Sequence, residues 1–321
     1  MMKHLQRFQK NTLENLIKYR AGETKLGEKI ASHWQAPSVN FVLLGIEEDI
    51  GVRVNKGIGG THTAWQSFVN SFVNIQSIDD LKGSEIGIFG HFNFDDLKDN
   101  ISSETVEKID IEVYEAINEI AQSGKIPIVI GGGHNNAYPI IKGISTAKKQ
   151  AINTINLDAH TDFRPLEGRH SGNGFRYAYE EGFLKKYAII GLHENYNNQL
   201  IINELSQNTD ISFCFWEDIF LKEKLTFKEA IYNALEFTKL APTGIELDLD
   251  SLENTLSSAM TPSGITTTQA RQYVHHLAQN MPVAYLHICE GATQLATGQQ
   301  SPTMGKLISY LVSDFVKAYR F

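Results

Sequence analysis

The sequence contains little cysteine, no long apolar run and no excess of positive charge. Its 321 residues include two cysteines, Cys214 and Cys289, both within apolar runs, where buried free thiols are expected rather than a disulfide framework. No stretch is apolar enough to span a bilayer, and the opening Met-Met-Lys-His-Leu-Gln has no apolar secretory core. These absences predict a protein of a reducing compartment, the cytoplasm, with no membrane partner.

The overall charge and composition restrict the class of partner further. The net charge is −8, which argues against nucleic acid as the main partner. A hydrophobic fraction of 42% and a charged fraction of 21% are ordinary for a globular chain. No repeat or linker divides the sequence. We therefore expect a single domain over residues 1–321, with residues 1–38 forming an N-terminal helical extension.

Short apolar runs alternate with amphipathic helical patterns along the chain. Eight runs are predicted strands: 40–46, 85–89, 126–130, 152–157, 187–191, 211–215, 243–249 and 283–288. Four of the intervening segments show clear helical periodicity: 103–121, 226–238, 267–279 and 306–318. Continuously apolar strands separated by helices predict a parallel sheet that is covered on both faces. The glycine-rich stretch 50–63 is interpreted as a mobile loop near the functional site, or else as an ordinary surface loop.

Three of the predicted strands end in side chains that can bind metal. Residues 154–157 run into Asp158-Ala-His160-Thr-Asp162, in which side chains at i, i+2 and i+4 share one face of an extended chain. His134 follows Ile130 and three glycines, and Asp248 and Asp250 follow the strand that begins at residue 243. Because the carboxyl ends of parallel strands lie at one edge of a sheet, we expect these groups to converge.

Taken together, the converging groups are four carboxylates and two imidazoles. That set is too large for one tetrahedral zinc ion and suits two hard or borderline divalent ions. Each segment alone has an ordinary explanation, because a histidine after a glycine turn is often a hydrogen-bonded loop residue and an aspartate pair is often a helix cap. The coincidence of all three after parallel strands favours a metal site.

The three motifs, in this order, resemble the metal signatures of the ureohydrolase family, which includes arginase, agmatinase and formimidoylglutamase. The resemblance covers about residues 42–290 and implies a three-layer α/β/α fold around a mainly parallel eight-stranded sheet. It also implies a cofactor of two Mn²⁺ ions per chain. The ligands that it implies for one ion are His134, Asp158, Asp162 and Asp248, and those for the other are His160, Asp158, Asp248 and Asp250.

The resemblance further implies roles in catalysis for two carboxylates. Two cations that share one water lower its pKa, and Asp162 is placed to hydrogen-bond that water and relay its proton. Glu290 matches the family's glutamate after the last strand, which pairs with the amidinium or guanidinium of the substrate; the alternative is a capping or surface glutamate.

The loop after Asp162 is the region that sets substrate specificity in the family. Arginase-like sequences carry an asparagine near Arg164 and a proton-shuttle histidine near Phe175, and both are absent here. His170 is nearby and could act as the shuttle instead. The stretch resembles the Asp-Phe/Leu-Arg and Ser-Gly-x-x-Phe-Arg patterns of formimidoylglutamases. We therefore predict that the side chains that bind substrate are Arg164, Ser171, Asn173 and Arg176.

Arginine suits this role because its planar fork pairs with carboxylates through two hydrogen bonds, and N-formimidoyl-glutamate has two carboxylates. Arg169 could contribute in the same way or could form a structural salt bridge. Glu246 shares the face of Asp248 on its strand, so it lies either at the site or hydrogen-bonded beneath it.

The sequence thus predicts a manganese-dependent hydrolase of a small linear amidine, with N-formimidoyl-L-glutamate as the expected substrate. Arginase, agmatinase or guanidino-acid hydrolase activity is the alternative within the class. A deacetylase on a related fold would use one zinc and fewer ligands, and a non-catalytic member would use the metal only for structure. The family often forms trimers or hexamers, so a homo-oligomer is also compatible with the sequence.

Overall fold

The computed structural model describes residues 2–320, through which one sheet of nine strands runs. The strands are β1 (Leu5–Arg7), β2 (Phe41–Glu47), β3 (Ile86–Asn93), β4 (Ile126–Ile130), β5 (Ile152–Leu157), β6 (Leu184–Leu192), β7 (Ile211–Phe215), β8 (Thr243–Asp248) and β9 (Val283–Cys289). Their spatial order is β1-β3-β2-β4-β9-β8-β5-β6-β7. Each neighbouring pair is parallel except β1 and β3, which are antiparallel.

The eight predicted strands correspond to β2 through β9, and β4, β5 and β7 have the predicted bounds. The ninth strand, β1, adds an antiparallel edge that the sequence analysis did not find. Of its three residues Leu5 is partly buried and Gln6 and Arg7 are exposed, so the strand carries no alternation of apolar and polar side chains. The predicted helical extension over residues 1–38 is therefore wrong in part, because it contains this strand and two helices of four residues each.

Helices cover both faces of the sheet. They are α1 (Asn11–Glu14), α2 (Leu26–Lys29), α3 (Ile50–Val54), α4 (Ala64–Phe72), α5 (Ser103–Gln122), α6 (Ala137–Lys148), α7 (Gly174–Glu180), α8 (Gln199–Gln207), α9 (Trp216–Phe220), α10 (Phe227–Thr238), α11 (Thr267–Asn280) and α12 (Met304–Ala318). The core around α5, α6 and α7 lies on one face, and the core around α4, α10, α11 and α12 lies on the other. The result is the three-layer α/β/α arrangement that the sequence predicts.

Alternation along the buried strands supplies both cores. On β2, Phe41 and Leu43 contribute to one core, whereas Val42 and Leu44 contribute to the other. Successive side chains of a strand point to opposite faces, so a run that is apolar at every position belongs to a sheet buried on both sides. Within residues 2–320, no helix has the length and apolarity that crossing a bilayer requires.

The glycine-rich segment 50–63 is more ordered than the loop that the sequence predicts. It begins with α3 and ends with a short 3₁₀ helix, Thr61–Thr63. The carboxylate of Glu48 accepts hydrogen bonds from the backbone N–H groups of Ile50 and Gly51, at 2.7 and 3.2 Å. These are N–H groups of the first turn, which have no partner inside the helix, so Glu48 stabilises the start of α3.

Candidate active site

The carboxyl ends of four adjacent strands, β4, β9, β8 and β5, bring the predicted metal ligands to one place. After β4 the chain turns through Gly131 and Gly132, whose φ angles are 92° and 73°. A Cβ on Gly131 would lie 2.7 Å from the carbonyl oxygen of Ile46, so this position requires glycine. The turn delivers His134 to the buried edge of the sheet.

His134 faces three carboxylates from two other strands. Its Nδ1 lies 3.2 Å from Oδ2 of Asp158, 2.8 Å from Oδ2 of Asp162 and 3.1 Å from Oδ2 of Asp248. These four side chains form one candidate metal-binding group. Its members are those that the sequence analysis assigned to the first ion.

A second group lies beside the first and shares Asp158 with it. Nδ1 of His160 is 3.6 Å from Oδ1 of Asp158 and 3.3 Å from Oδ2 of Asp250. Asp248 was predicted to contribute to both groups, but only the first contains it. Its Oδ1 instead accepts a hydrogen bond from the backbone N–H of Asp250, at 2.8 Å.

The chemistry of these side chains fits two divalent cations. Within the described part of the chain, the buried Nδ1 of His134 and Oδ1 of Asp250 have no hydrogen-bond partner, as expected of atoms that bind metal. Burial raises the pKa of Asp162 to about 6, and the charge of Asp158 adds to the effect. Burial and Asp250 likewise raise the pKa of Asp248. The carboxylates thus concentrate negative charge that bound cations would neutralise.

Glu290 lies at the end of β9 and contacts the first group through the backbone. Its Oε1 accepts a hydrogen bond from the N–H of His134 at 2.9 Å, and its own N–H donates to the carbonyl of Gly132 at 3.1 Å. Burial, followed by the charge of Asp250, raises the pKa of Glu290 to about 8.

Two residues of the site adopt a left-handed backbone. The φ angle is 43° at Asp162 and 61° at Glu290. This conformation costs a non-glycine residue about 1–2 kcal/mol, and such strain is concentrated at functional sites. Both carboxylates predicted to act on the substrate therefore occupy strained positions.

A buried hydrogen-bond network lies beneath His134. Glu246 accepts hydrogen bonds from Nδ1 of His287 at 2.6 Å and from the hydroxyl of Tyr285 at 2.7 Å, and it lies 3.4 Å from Nε2 of His134. Burial opposes its charge, but His287 and His134 outweigh burial and lower the pKa of Glu246 to about 2. Glu246 therefore lies below the metal-binding groups and orients His134 from behind, as carboxylates often do for metal-binding histidines.

Residues of the loop after β6 hold the turn that follows β5, and the sequence analysis did not identify them. The side chain of Asn197 accepts a hydrogen bond from the N–H of Thr161 and donates to the carbonyl of Ala159, both at 2.9 Å. The ring of Tyr196 stacks on His160, with centroids 5.6 Å apart. No spacing in the sequence relates this loop to the Asp-x-His-x-Asp motif, because the contacts depend on the packing of β5 against β6.

The two groups open into a cavity of about 730 Å³. Among the described residues, its acidic lining consists of Asp162, Glu167, Glu204, Asp248, Asp250 and Glu290. Its lysine and arginine lining consists of Lys56 and Arg164. The cavity is therefore acidic around the candidate metal site and has two cationic side chains for binding an anion.

Two of the predicted substrate-binding residues line this cavity. Arg164 is half exposed, and its guanidinium pairs with Glu167 through Nε at 2.8 Å and Nη2 at 2.7 Å. The hydroxyl of Ser171 accepts a hydrogen bond from the side chain of Asn55 at 3.2 Å. Both side chains are therefore accessible to a molecule bound in the cavity.

His170, Asn173 and Arg176 do not line the cavity, so the structure does not support the predicted contacts of these three side chains with a substrate. Nε2 of His170 contacts Glu167, its Nδ1 accepts from the N–H of Gly172, and the ring does not line the cavity. Burial lowers the pKa of His170. The amide of Asn173 is used within its own loop, and Arg176 pairs with Glu204.

Arg169, for which two roles were open, is a structural residue. It is buried, and its guanidinium donates to Asp110 through Nε and Nη2, at 2.8 and 3.2 Å. It also lies over the rings of Tyr138 and Tyr177. Phe175, at the position of the missing arginase histidine, packs edge-on against the ring of His134, with centroids 4.9 Å apart. Phe175 therefore packs against a candidate metal ligand, and its side chain has no group that could transfer a proton.

The fold and the cluster of histidines and carboxylates define an α/β protein with a candidate metal site, and comparison with known proteins gives its family. The model of the arginase family matches residues 39–313, and the chain belongs to that family. It is an enzyme, a hydrolase that acts on C–N bonds of amidines.

Curated relatives are similar in sequence, and solved structures are similar in fold. The chain is 29% identical to a formimidoylglutamase of Macrococcus caseolyticus, over 77% of this chain and 76% of the relative. It is 26% identical to a formimidoylglutamase of Streptococcus pyogenes, over 78% and 77% of the two chains. Its fold is similar to that of the Trypanosoma cruzi formiminoglutamase solved with Mn²⁺, with a TM-score of 0.76, 19% identity and coverage of 92% and 98%. The Bacillus subtilis formimidoylglutamase gives a TM-score of 0.76 at 18% identity, with 95% of each chain covered.

Proposed function

We propose that the protein hydrolyses N-formimidoyl-L-glutamate to L-glutamate and formamide with two manganese ions. The observation that carries this proposal is the composition of the cavity. Candidate metal ligands and Glu290 lie in its wall, and the same wall includes Arg164 and Ser171. An amidinium and a carboxylate of one small substrate could therefore be bound at the same time. The names of the curated relatives support the same substrate.

The residues that would hold the two ions are those of the two groups. His134, Asp158, Asp162 and Asp248 suit one ion, and Asp158, His160 and Asp250 suit the other. Manganese suits this set better than zinc, because oxygen donors outnumber imidazoles and no thiolate belongs to either group. When bound, the ions would supply Lewis-acid charge that activates water for attack on the amidine carbon.

The remaining steps are assigned to side chains of the protein. Glu290 would hold the protonated amidine through a charge-assisted hydrogen bond, which fixes the carbon that is attacked. Asp162 would take the proton from the attacking water and pass it to the leaving nitrogen. A new C–O bond forms as the C–N bond to the glutamate nitrogen breaks, so one water and one amidine give formamide and the free amine.

The rim of the cavity would determine which amidine is accepted. Arg164 would exchange its contact with Glu167 for a carboxylate of the substrate, and the hydroxyl of Ser171 would donate a second hydrogen bond. Agmatine is the second candidate substrate, because the acidic lining of the cavity favours a cation. A cytoplasmic location and a homo-oligomer remain predictions from the sequence.

A panel of substrates would test the proposal. The purified chain, reconstituted with Mn²⁺, would be assayed with N-formimidoyl-L-glutamate, arginine, agmatine and guanidinobutyrate, with an Asp158→Asn variant as the blank. We expect the highest kcat/KM for N-formimidoyl-L-glutamate and two manganese ions per chain by elemental analysis. Faster hydrolysis of agmatine would contradict the substrate. One ion or none in folded, saturated protein would contradict the proposed pair of ions.

A further inference from the structure

Lys56 is a lysine in the cavity wall that the proposed mechanism does not use. It lies two residues after the end of α3, its side chain is exposed, and it lines the same cavity as Arg164. Its φ angle is 66°, in the left-handed region, where glycine is the residue with the lowest cost. Backbone strain of this kind is concentrated at functional sites, and Lys56 lies in the wall of the proposed substrate cavity.

The ammonium group of Lys56 has no partner in the part of the chain that the structure describes. Hydrogen bonds and salt bridges within residues 2–320 include none from its Nζ, although six carboxylates line the same cavity. Arg164 differs, because Glu167 already accepts hydrogen bonds from its Nε and lies 2.7 Å from its Nη2. Lys56 is thus the cation of the cavity that is free to bind an anion without first losing an internal ion pair.

Hydrogen bonds connect the segment after α3 to residues 164–172, where the proposed carboxylate site lies. Asn55, next to Lys56, donates from its side chain to the hydroxyl of Ser171 at 3.2 Å. The backbone N–H of Arg164 donates to the carbonyl of Gly172, the residue after Ser171, at 3.0 Å. Asn55 and Arg164 thus both contact the Ser171–Gly172 segment, and Lys56, next to Asn55, lines the same cavity as Arg164, so a ligand with two carboxylates could contact both cations.

We infer that Lys56 determines specificity by binding the second carboxylate of a dicarboxylate amidine. This inference rests on the proposed function, because that substrate has one carboxylate for Arg164 and another for Lys56. Lys56 contributes uniform binding and does not touch the reacting carbon. Its loss should therefore raise KM and leave kcat unchanged.

The experiment compares the wild type with Lys56→Met and Lys56→Arg on two substrates. One is N-formimidoyl-L-glutamate, and the other is N-formimidoyl-propylamine, which has no carboxylate. We expect Lys56→Met to reduce the ratio of kcat/KM for the first substrate over the second by roughly tenfold, the scale of one charge-assisted hydrogen bond. Lys56→Arg should restore most of that ratio. Added salt should lower the ratio in the wild type and have less effect in Lys56→Met, because salt screens exposed charges.

A pair of glycine variants separates this role from a structural one. Lys149 also has a left-handed backbone, with φ of 55°, but it ends α6 and does not line the cavity. Lys56→Gly and Lys149→Gly should each raise Tm by roughly one or two degrees, because both remove the same strain. Only Lys56→Gly should raise KM for the dicarboxylate.

The outcomes distinguish the inference from the function on which it rests. If the wild type hydrolyses N-formimidoyl-L-glutamate and the Lys56→Met ratio is unchanged, the inference is overturned and the proposed function stands. If kcat falls while KM is constant, Lys56 acts on the chemical step and the inference is again overturned. If the wild type hydrolyses neither formimidoyl compound, the proposed function is wrong and the inference is wrong with it.

Discussion

Replacement of Glu48 by glutamine tests whether one buried carboxylate holds the metal-binding turn in place. Glu48 is 2% exposed and accepts five hydrogen bonds. The donors to Oε1 are the N–H of Gly133 and the side-chain amides of Asn135 and Asn136, and the donors to Oε2 are the N–H groups of Ile50 and Gly51. The side chain thus links the start of α3 to the turn that carries His134.

The magnitude follows from the number of donors on each oxygen. Glutamine replaces one carboxylate oxygen by an NH₂ group, which cannot accept hydrogen bonds. In the less costly orientation the NH₂ group replaces Oε2, so the two hydrogen bonds from Ile50 and Gly51 are lost. Each charge-assisted hydrogen bond contributes about 1.5–3 kcal/mol, so Glu48→Gln should lower the free energy of unfolding by about 3–6 kcal/mol. Because the same carboxylate holds Gly133, we also expect weaker binding of Mn²⁺ at His134.

Urea denaturation of the metal-free protein and calorimetric titration with Mn²⁺ would measure the two effects. The matched control is Glu47→Gln, one residue earlier on β2, where Asn93 donates one hydrogen bond at 3.3 Å and the residue is only partly buried. That control should cost less than about 1 kcal/mol. The reasoning about Glu48 is refuted if the two variants bind Mn²⁺ equally well and their free energies of unfolding differ by less than about 1 kcal/mol.

Three further predictions concern the proton relay, the rim of the cavity and an ion pair outside it. Asp162→Asn should lower kcat by at least roughly a hundredfold in the reconstituted enzyme, because it removes the carboxylate assigned to proton transfer. Arg164→Ala should lower kcat/KM for N-formimidoyl-L-glutamate by roughly tenfold and leave that for agmatine unchanged, because agmatine has no carboxylate. The hydrogen bond to Asp49 raises the pKa of His62, so the stability that His62 contributes should be present below its unfolded pKa of about 6.5 and lost as pH rises through the higher folded value. His62→Gln should therefore cost about 0.3–1 kcal/mol near pH 5.5 and less at pH 8.5, measured by urea denaturation at both pH values.

Each of these predictions has a result that would contradict it. Near-full turnover by Asp162→Asn with intact metal content would assign the proton transfer to another group. An equal loss on both substrates in Arg164→Ala would indicate a structural role for the arginine. A cost of His62→Gln that grows from pH 5.5 to pH 8.5 would contradict a raised pKa of the histidine, and Asp49→Asn, which removes the partner, provides the matching control.

The parts of the site that the sequence could predict are those that depend on a strand and its end. Asp158, His160 and Asp162 follow an apolar run, so their place at the carboxyl edge of the sheet follows from a parallel fold. The extended alternation expected of them is wrong, because β5 ends at Leu157 and Asp162 has a φ angle of 43°. The supporting contacts depend instead on which strands are neighbours. Glu246 is on β8 and His287 is on the neighbouring β9, and nothing local in either segment indicates that the two residues form a hydrogen bond.

The loop after Asp162 shows where spacing alone was insufficient. Of the side chains predicted in this loop, Arg164 and Ser171 line the cavity, whereas His170 and Asn173 do not. The reason is the buried pair of Arg169 with Asp110, which is 59 residues away in the chain. Arg169 donates to the side-chain oxygen of Asn173, which also accepts from the N–H of His170, so that oxygen is used inside the loop. A pairing at that separation leaves no pattern in the local sequence.

The order of the strands has a consequence for how the enzyme is made. β9 is the last of the described strands in chain order, but it lies between β4 and β8 in the middle of the sheet. Until residues 283–289 have been synthesised, the strand that joins β1-β3-β2-β4 to β8-β5-β6-β7 is absent. The metal-binding side chains come from residues 134–250, but the hydrogen bond from the N–H of His134 to Glu290 spans 156 residues and can form only after residue 290 has been synthesised. His134 follows β4 in one half of the sheet and the aspartates follow β5 and β8 in the other, so β9 is the strand that holds the two parts of the metal site together.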